Sequence, residues 1–156
     1  FRGTPVLLQL YVLYYGLANV LSLGAFGAAM LGLGLNYAAY EAEIYRARIQ
    51  AVPRGEVDAA HALGMSHSLT LRRVILPQAL RFSLPGIAND FIALLKDSSL
   101  VSVITVVELT KRMTIAAVDG RGWLLPGLLC ALFYLAMSYP LSLLARRLEA
   151  RLGGRR

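Results

Sequence analysis

The sequence predicts an all-α fold: a polytopic bundle of transmembrane helices with one ordered polar segment at its cytoplasmic side. Three observations predict it. First, 57% of the 156 residues are hydrophobic, against about 45–50% in soluble domains. Second, the excess is concentrated: residues 3–40 and 123–145 carry no charge at all, and uncharged stretches of about 18 or more residues read as membrane spans. Third, the cations fall mostly on one side of the alternating crossings those spans imply. The competing reading, buried helices of a soluble core, needs a larger chain than this one.

Taken in order, residues 3–40 are too long for one crossing. Gly16, Asn19 and the LSLG stretch at 21–24 offer a break, giving a first span over roughly 4–17 and a second over 22–49. The chain begins with Phe1 rather than Met, and the first span is expected to start before it. No basic region, short apolar core and cleavage site of the signal-peptide kind stands there. Gly24, Ala28 and Gly32 recur every four residues, a spacing that lets helices approach closely in lipid. Pro53 and Gly55 then break the chain, and a polar segment runs over 53–81. Within it, residues 56–63 suit a short helix with Glu56 and Asp58 at its positive end. Gly64 is a natural left-handed stop. Ser66 is a good N-cap for a following helix expected to end near Pro77. A third span is predicted over 84–107, a polar link over 108–122, and a last span over 123–145 before an arginine-rich tail.

Arg2, Arg46, Arg48, Arg54, Arg72, Arg73, Arg81, Arg146, Arg147, Arg151, Arg155 and Arg156 all fall on one side of this topology. Lys111, Arg112 and Arg121 fall on the other. Positive charge marks the cytoplasmic side, so the 53–81 segment and the C-terminus are expected in the cytoplasm. The net charge of +7 follows from topology and anionic lipid. No zinc-finger spacing, RNA-recognition motif or aromatic–basic interleaving points to nucleic acid.

The polar segment carries Asp58-Ala59-Ala60, three residues, Gly64, nine residues, Val74, one residue, then Leu76-Pro77. This pattern resembles the EAA motif of ABC importer permeases, Glu-Ala-Ala, three, Gly, nine, Ile, one, Leu-Pro, with conservative departures at Asp58 and Val74. RGTPVLLQLYVLYYGL, LNYAAYEAEIYR, LPQALRFSLPGIANDFIALLKDSSLVSVI and YPLSLLARRLEARL are similar to the polar amino acid branch of that family. Ala47 and Arg48 stand where the family often has two glycines. The resemblance covers nearly the whole chain and implies one further span before Phe1. It also implies that the 53–81 segment holds a coupling helix, with Asp58, Ala59, Ala60 and Gly64 docking into a cytoplasmic ATPase subunit. The partners implied are ABC ATPase subunits, a second permease, alike or not, and an extracytoplasmic amino-acid-binding protein. The implied location is the bacterial inner membrane. No Gly-x-x-x-x-Gly-Lys-Ser/Thr loop is present, so no cofactor is expected in this chain. ATP and Mg would belong to the ATPase, and the chain is expected to be a transport subunit rather than an enzyme.

The third span contains Asp90, Lys96 and Asp97, and each charge at a helix centre costs about 2.5–3.5 kcal/mol on insertion scales. Asp90 and Asp97 are seven apart and share a face; Asn89 and Lys96 form a polar stripe beside it. Asp90, Asp97 and Asn89, with Asn36 of the second span, are the candidate substrate path, while Lys96 is expected to be structural. The family resemblance associates an acidic residue at the Asp90 position with cationic cargo, and two carboxylates suit a guanidinium or ammonium group. Arginine, lysine or histidine is the expected cargo. Glu41 and Glu43 are expected to pair structurally, Glu43 with Arg46 at i,i+3. His61 and His67, six apart, lack a ligand set for metal, and Ser66 beside His67 has no third partner for catalysis. Cys130 reads as a small hydrophobe. The alternatives are an ion-coupled secondary transporter using the intramembrane carboxylates, which needs no ATPase, and a membrane enzyme or structural bundle, which transports nothing.

Overall fold

A computed structural model of the chain describes residues 2–20 and 22–153. Leu21 of the expected break, and Arg155 and Arg156 of the basic tail, lie outside the described residues. The described residues form helices and connecting turns, with no strand.

Pro5 cannot donate a backbone hydrogen bond, and α1 (Val6–Tyr11) starts directly after it. A π turn (Val12–Gly16) ends this helix. The chain reverses and α2 (Ala25–Gln50) runs back along it. The pairing is fixed by size and polarity. A Cβ on Gly32 would lie 2.7 Å from Leu10 Cδ2, so any larger residue there would have to displace the Leu10 side chain. One turn deeper in the pair, Asn36 Nδ2 donates to Gln9 Oε1 at 3.1 Å. Ala28 is fully buried, whereas Gly24 only precedes the helix and a Cβ there would meet open space. Two of the three small residues of the expected stripe therefore serve the close approach.

After Pro53 comes α3 (Arg54–Ala62). It ends on Gly64, whose φ is +77°. Gly64 N–H donates to His61 O at 2.9 Å and Met65 N–H to Ala60 O at 3.1 Å, the two bonds of a Schellman stop. Ser66 caps α4 (His67–Thr70), its Oγ accepting from Leu69 N at 3.4 Å. The helix does not end near Pro77 as expected. It passes through a π turn (Leu71–Ile75) into α5 (Leu76–Asp97) without a break. Proline lacks a donor and crowds the preceding turn. A wider π turn just before it, with Leu76 N–H bonded to Leu71 O, accommodates both defects. Helix α5 thus starts eight residues before the position expected for the third span. Its α-helical part ends at Asp97, and a 3₁₀ stretch (Ser98–Ile104) follows.

The expected polar link is itself helical. Glu108 accepts from Thr110 N and Lys111 N, both at 2.7 Å, and caps α6 (Leu109–Asp119). The carboxylate at the N-cap, where serine or asparagine is more familiar, is the signal that sequence reading missed. The last helix, α7 (Leu124–Gly153), runs past Ala145 and takes in the first arginines of the tail.

Helix α5 is central, packed on α2 and on α7, with α6 on α7. The best-packed cluster joins Leu10, Ala28, Ala29, Val101 and Ile104. Among the described residues one helix, Leu124–Leu152, is long and apolar enough to cross a membrane by length and composition alone; Val6–Gly16 is a shorter apolar helix. In α2 the glycines, tyrosines, Asn36 and glutamates dilute hydropathy over a length of 26 residues. The face of α7 with Leu125, Leu128, Leu132 and Leu135 is exposed, far more apolar surface than a soluble monomer leaves in water.

Candidate functional site

Two regions carry polar residues in a defined arrangement. The first is the segment from α3 to the π turn. Asp58, Ala59 and Gly64 are exposed, while Ala60 is only 4% accessible. One residue further round the helix than Ala59, Ala60 turns inward, on the side where α3 packs against α4 and the π turn. Of the four residues expected to dock a partner, Ala60 therefore faces its own chain and sets how closely α3 lies on it. A side-chain hydrogen bond from Gln78 to the Glu56 carboxylate ties α3 to the start of α5.

The second region is a cavity of about 250 Å³ between the first residues, α2 and α5. Asn36, Tyr37 and Tyr40 line it from α2; Asp90, Ala93 and Asp97 from α5; Thr4, Pro5 and Val6 close it. The structure thus brings three of the four expected path residues together. Asn89 is exposed and outside these walls, because it lies about 100° around the helix from Asp90. Lys96 likewise lines a different cleft, with Thr110, Cys130 and Tyr134.

Around the cavity the polar groups are ordered but not saturated. Tyr37 OH donates to Asp97 Oδ2 at 2.8 Å. Asn36, 6% accessible, donates to Gln9, whose Nε2 in turn donates to Thr4 Oγ1 at 2.9 Å. Asp90 Oδ2 is buried with no hydrogen-bond partner, and so is Glu41 Oε2 one residue beyond Tyr40. A buried acceptor without a donor is costly, and a ligand bringing N–H groups would relieve that cost at Asp90. Glu43 pairs with Arg46 at 3.5 Å as its spacing suggested, but Glu41 does not follow it. Sequence reading missed Gln9, Tyr37 and Tyr40. One signal was present: Asn36 and Tyr40 are four apart and share a helical face. A larger groove of about 500 Å³ beneath Leu124, Leu125 and Leu128 has no charged residue in its walls, so the acidic cavity is where ionic chemistry is concentrated.

Against known proteins, the model of the family described as binding-protein-dependent transport system inner membrane component matches residues 1–154. The chain is 42% identical over 153 residues to the L-cystine transport system permease protein TcyB of Bacillus subtilis strain 168, covering 97% of this chain and 65% of that protein. It is 44% identical over 120 residues to the octopine transport system permease protein OccM of Rhizobium meliloti, covering 70% of this chain and 49% of that one. It therefore spans between half and two thirds of the length of these relatives. A crystal structure of an amino acid ABC transporter with histidines superposes with a TM-score of 0.90 at 41% identity, over 96% of this chain and 71% of the other.

Proposed function

Since the chain belongs to the family of binding-protein-dependent transport inner membrane components, amino acid ABC permeases among them, we propose that it is the translocating subunit of an ATP-driven importer for polar amino acids, with cationic ones preferred. Members of this family are transport components rather than enzymes. The ion-coupled secondary transporter suggested by the carboxylates finds no support among these relatives.

One observation carries the proposal. Asp90 and Asp97 line one cavity, and they sit on the continuous helix that starts at His67, directly after the docking residues of α3 and their stop at Gly64. At 1.5 Å per residue that rod is roughly 45 Å long. A push on α3 and α4 from a closing ATPase dimer would reach the cavity wall as rigid-body motion, with the bond from Gln78 to Glu56 keeping α3 in register with the rod. The nucleotide and its Mg would be held by the ATPase. A second permease copy or sister chain would cover the exposed face of the bundle, and an extracytoplasmic binding protein would deliver cargo. In this reading the arginine-rich end of α7 lies in the cytoplasm.

The named cargoes of the relatives, cystine and octopine, do not select a cation by themselves. The cavity supports one: two carboxylates, one with an unpartnered oxygen, beside two tyrosine rings suit a guanidinium or ammonium group. The test is to isolate the full-length permease from its native membrane in mild detergent, identify what accompanies it, and reconstitute uptake of arginine, lysine, histidine and glutamine. The expected result is a co-purifying P-loop ATPase and ATP-driven uptake that favours the cations. Uptake favouring glutamine would overturn the cargo assignment, and uptake driven by an ion gradient without ATPase would overturn the importer.

A further inference from the structure

Arg2 lies beside the acidic cavity, against the half of α2 that leads toward α3. Its Nη1 is 3.7 Å from Glu43 Oε2, and its guanidinium carbon lies 5.5 Å from the centroid of the Tyr40 ring. Tyr40 is also a cavity wall, as are Thr4 and Pro5. The strap of residues 2–5 therefore joins the cavity wall at Thr4 and Pro5 to the contacts of Arg2. The inner attachment is built into the core: Gln9 Nε2 donates to Thr4 Oγ1 at 2.9 Å and to Thr4 O at 3.2 Å, and Gln9 is held in turn by the buried Asn36. The outer attachment is Arg2 with Glu43 and Tyr40, and it is open: the side chains of the ion pair are 51% and 39% accessible.

That asymmetry suits a part that opens. A buried ion pair is hard to break, because separating it strands a charge; an exposed one contributes little and exchanges freely. Glu43 does not depend on Arg2 alone, since its Oε1 is 3.5 Å from Arg46 Nη1, so releasing Arg2 strands no carboxylate. A cationic cargo in the cavity would also compete with Arg2 for the face of Tyr40.

We infer that Arg2 is a gate latch: its guanidinium, held by Glu43 and the Tyr40 ring, closes the α3-side mouth of the acidic cavity and lets go when cargo leaves. The inference rests on the cavity being the transport path and adds the residue that controls its exit. The latch has three consequences in one experiment. The full-length permease, assembled with its ATPase and binding protein in inside-out vesicles, carries Cys130→Ser and a reporter cysteine, Ala93→Cys, in the cavity wall. The rate of reaction of that cysteine with a membrane-impermeant sulfonated maleimide is measured. Arg2→Gln and Glu43→Gln are each expected to raise the rate by about fivefold, the upper end of what an exposed ion pair contributes. Arg2→Lys, which keeps a cation over the ring, is expected to stay within about twofold of the parent. A rate in Arg2→Gln equal to the parent's would overturn the latch, as would Arg2→Lys reacting as fast as Arg2→Gln. Labelling is read without transport, so absence of ATP-driven uptake in the parent complex would strike the importer reading while leaving the latch measurement intact.

Discussion

The docking segment and the acidic cavity lie toward opposite ends of one helical rod, and they are built by opposite means. In the segment most constraints are local, the bond from Gln78 to Glu56 across 22 positions excepted. The left-handed Gly64, its two stop bonds and the Ser66 cap all act within five residues of sequence. The cavity is assembled from afar: Tyr37 reaches Asp97 across 60 positions and Asn36 reaches Gln9 across 27. A docking plug has to keep one shape while it is pushed. A transport cavity has to change shape, and contacts between separate helices can be exchanged as a local turn cannot. The contrast teaches that stiffness is written in neighbouring residues and adaptability in distant ones.

The largest expected effect tests the cavity. Asp97→Asn keeps the shape of the side chain and removes its charge; loss of one charge-assisted contact worth about 1.4 kcal/mol should reduce uptake of cationic amino acids by about tenfold. Tyr37→Phe, which removes only the hydroxyl donated to Asp97, should have the smaller effect of the two, and initial uptake rates in proteoliposomes compare them. Equal losses would mean that Asp97 acts only through Tyr37.

Next comes the segment. Gly64→Val forces a β-branched residue to a φ of +77°, a strain of about 1–2 kcal/mol. The account expects the variant to insert normally, co-purify with less ATPase and lose uptake several-fold. Normal uptake would detach this segment from coupling. The smallest effect is expected for Ser66→Ala, which removes a cap worth about 1 kcal/mol from a helix that α5 continues. It should lower the thermal midpoint of the purified complex slightly and leave the substrate preference unchanged.

These contrasts also explain what could be read in the chain beforehand. The stop at Gly64, the cap at Ser66 and the shared face of Asp90 and Asp97 were legible, because each depends on local periodicity or backbone preference. The continuation of the helix through Pro77 was not, since it depends on a π turn just before the proline, which residue spacing does not announce. Helix α6 was hidden because its cap is a glutamate in a stretch that looked like a polar link. Asn89 has polar neighbours in sequence, but rotation around the helix carries it outside the cavity walls. Gln9 could not be tied to the cavity from spacing alone, because the Asn36 side chain it accepts from is on another helix.

The most direct test of the central claim, that the cavity's carboxylates select a cationic cargo, is the ratio of arginine to glutamine uptake by the reconstituted full-length complex, with Asp90 and with Asp90→Asn. An amide there retains an acceptor and adds donors but has no charge. The account predicts that the ratio falls by about tenfold, one charge-assisted contact, with glutamine uptake preserved. An unchanged ratio would contradict it and leave Asp90 a structural residue of the bundle.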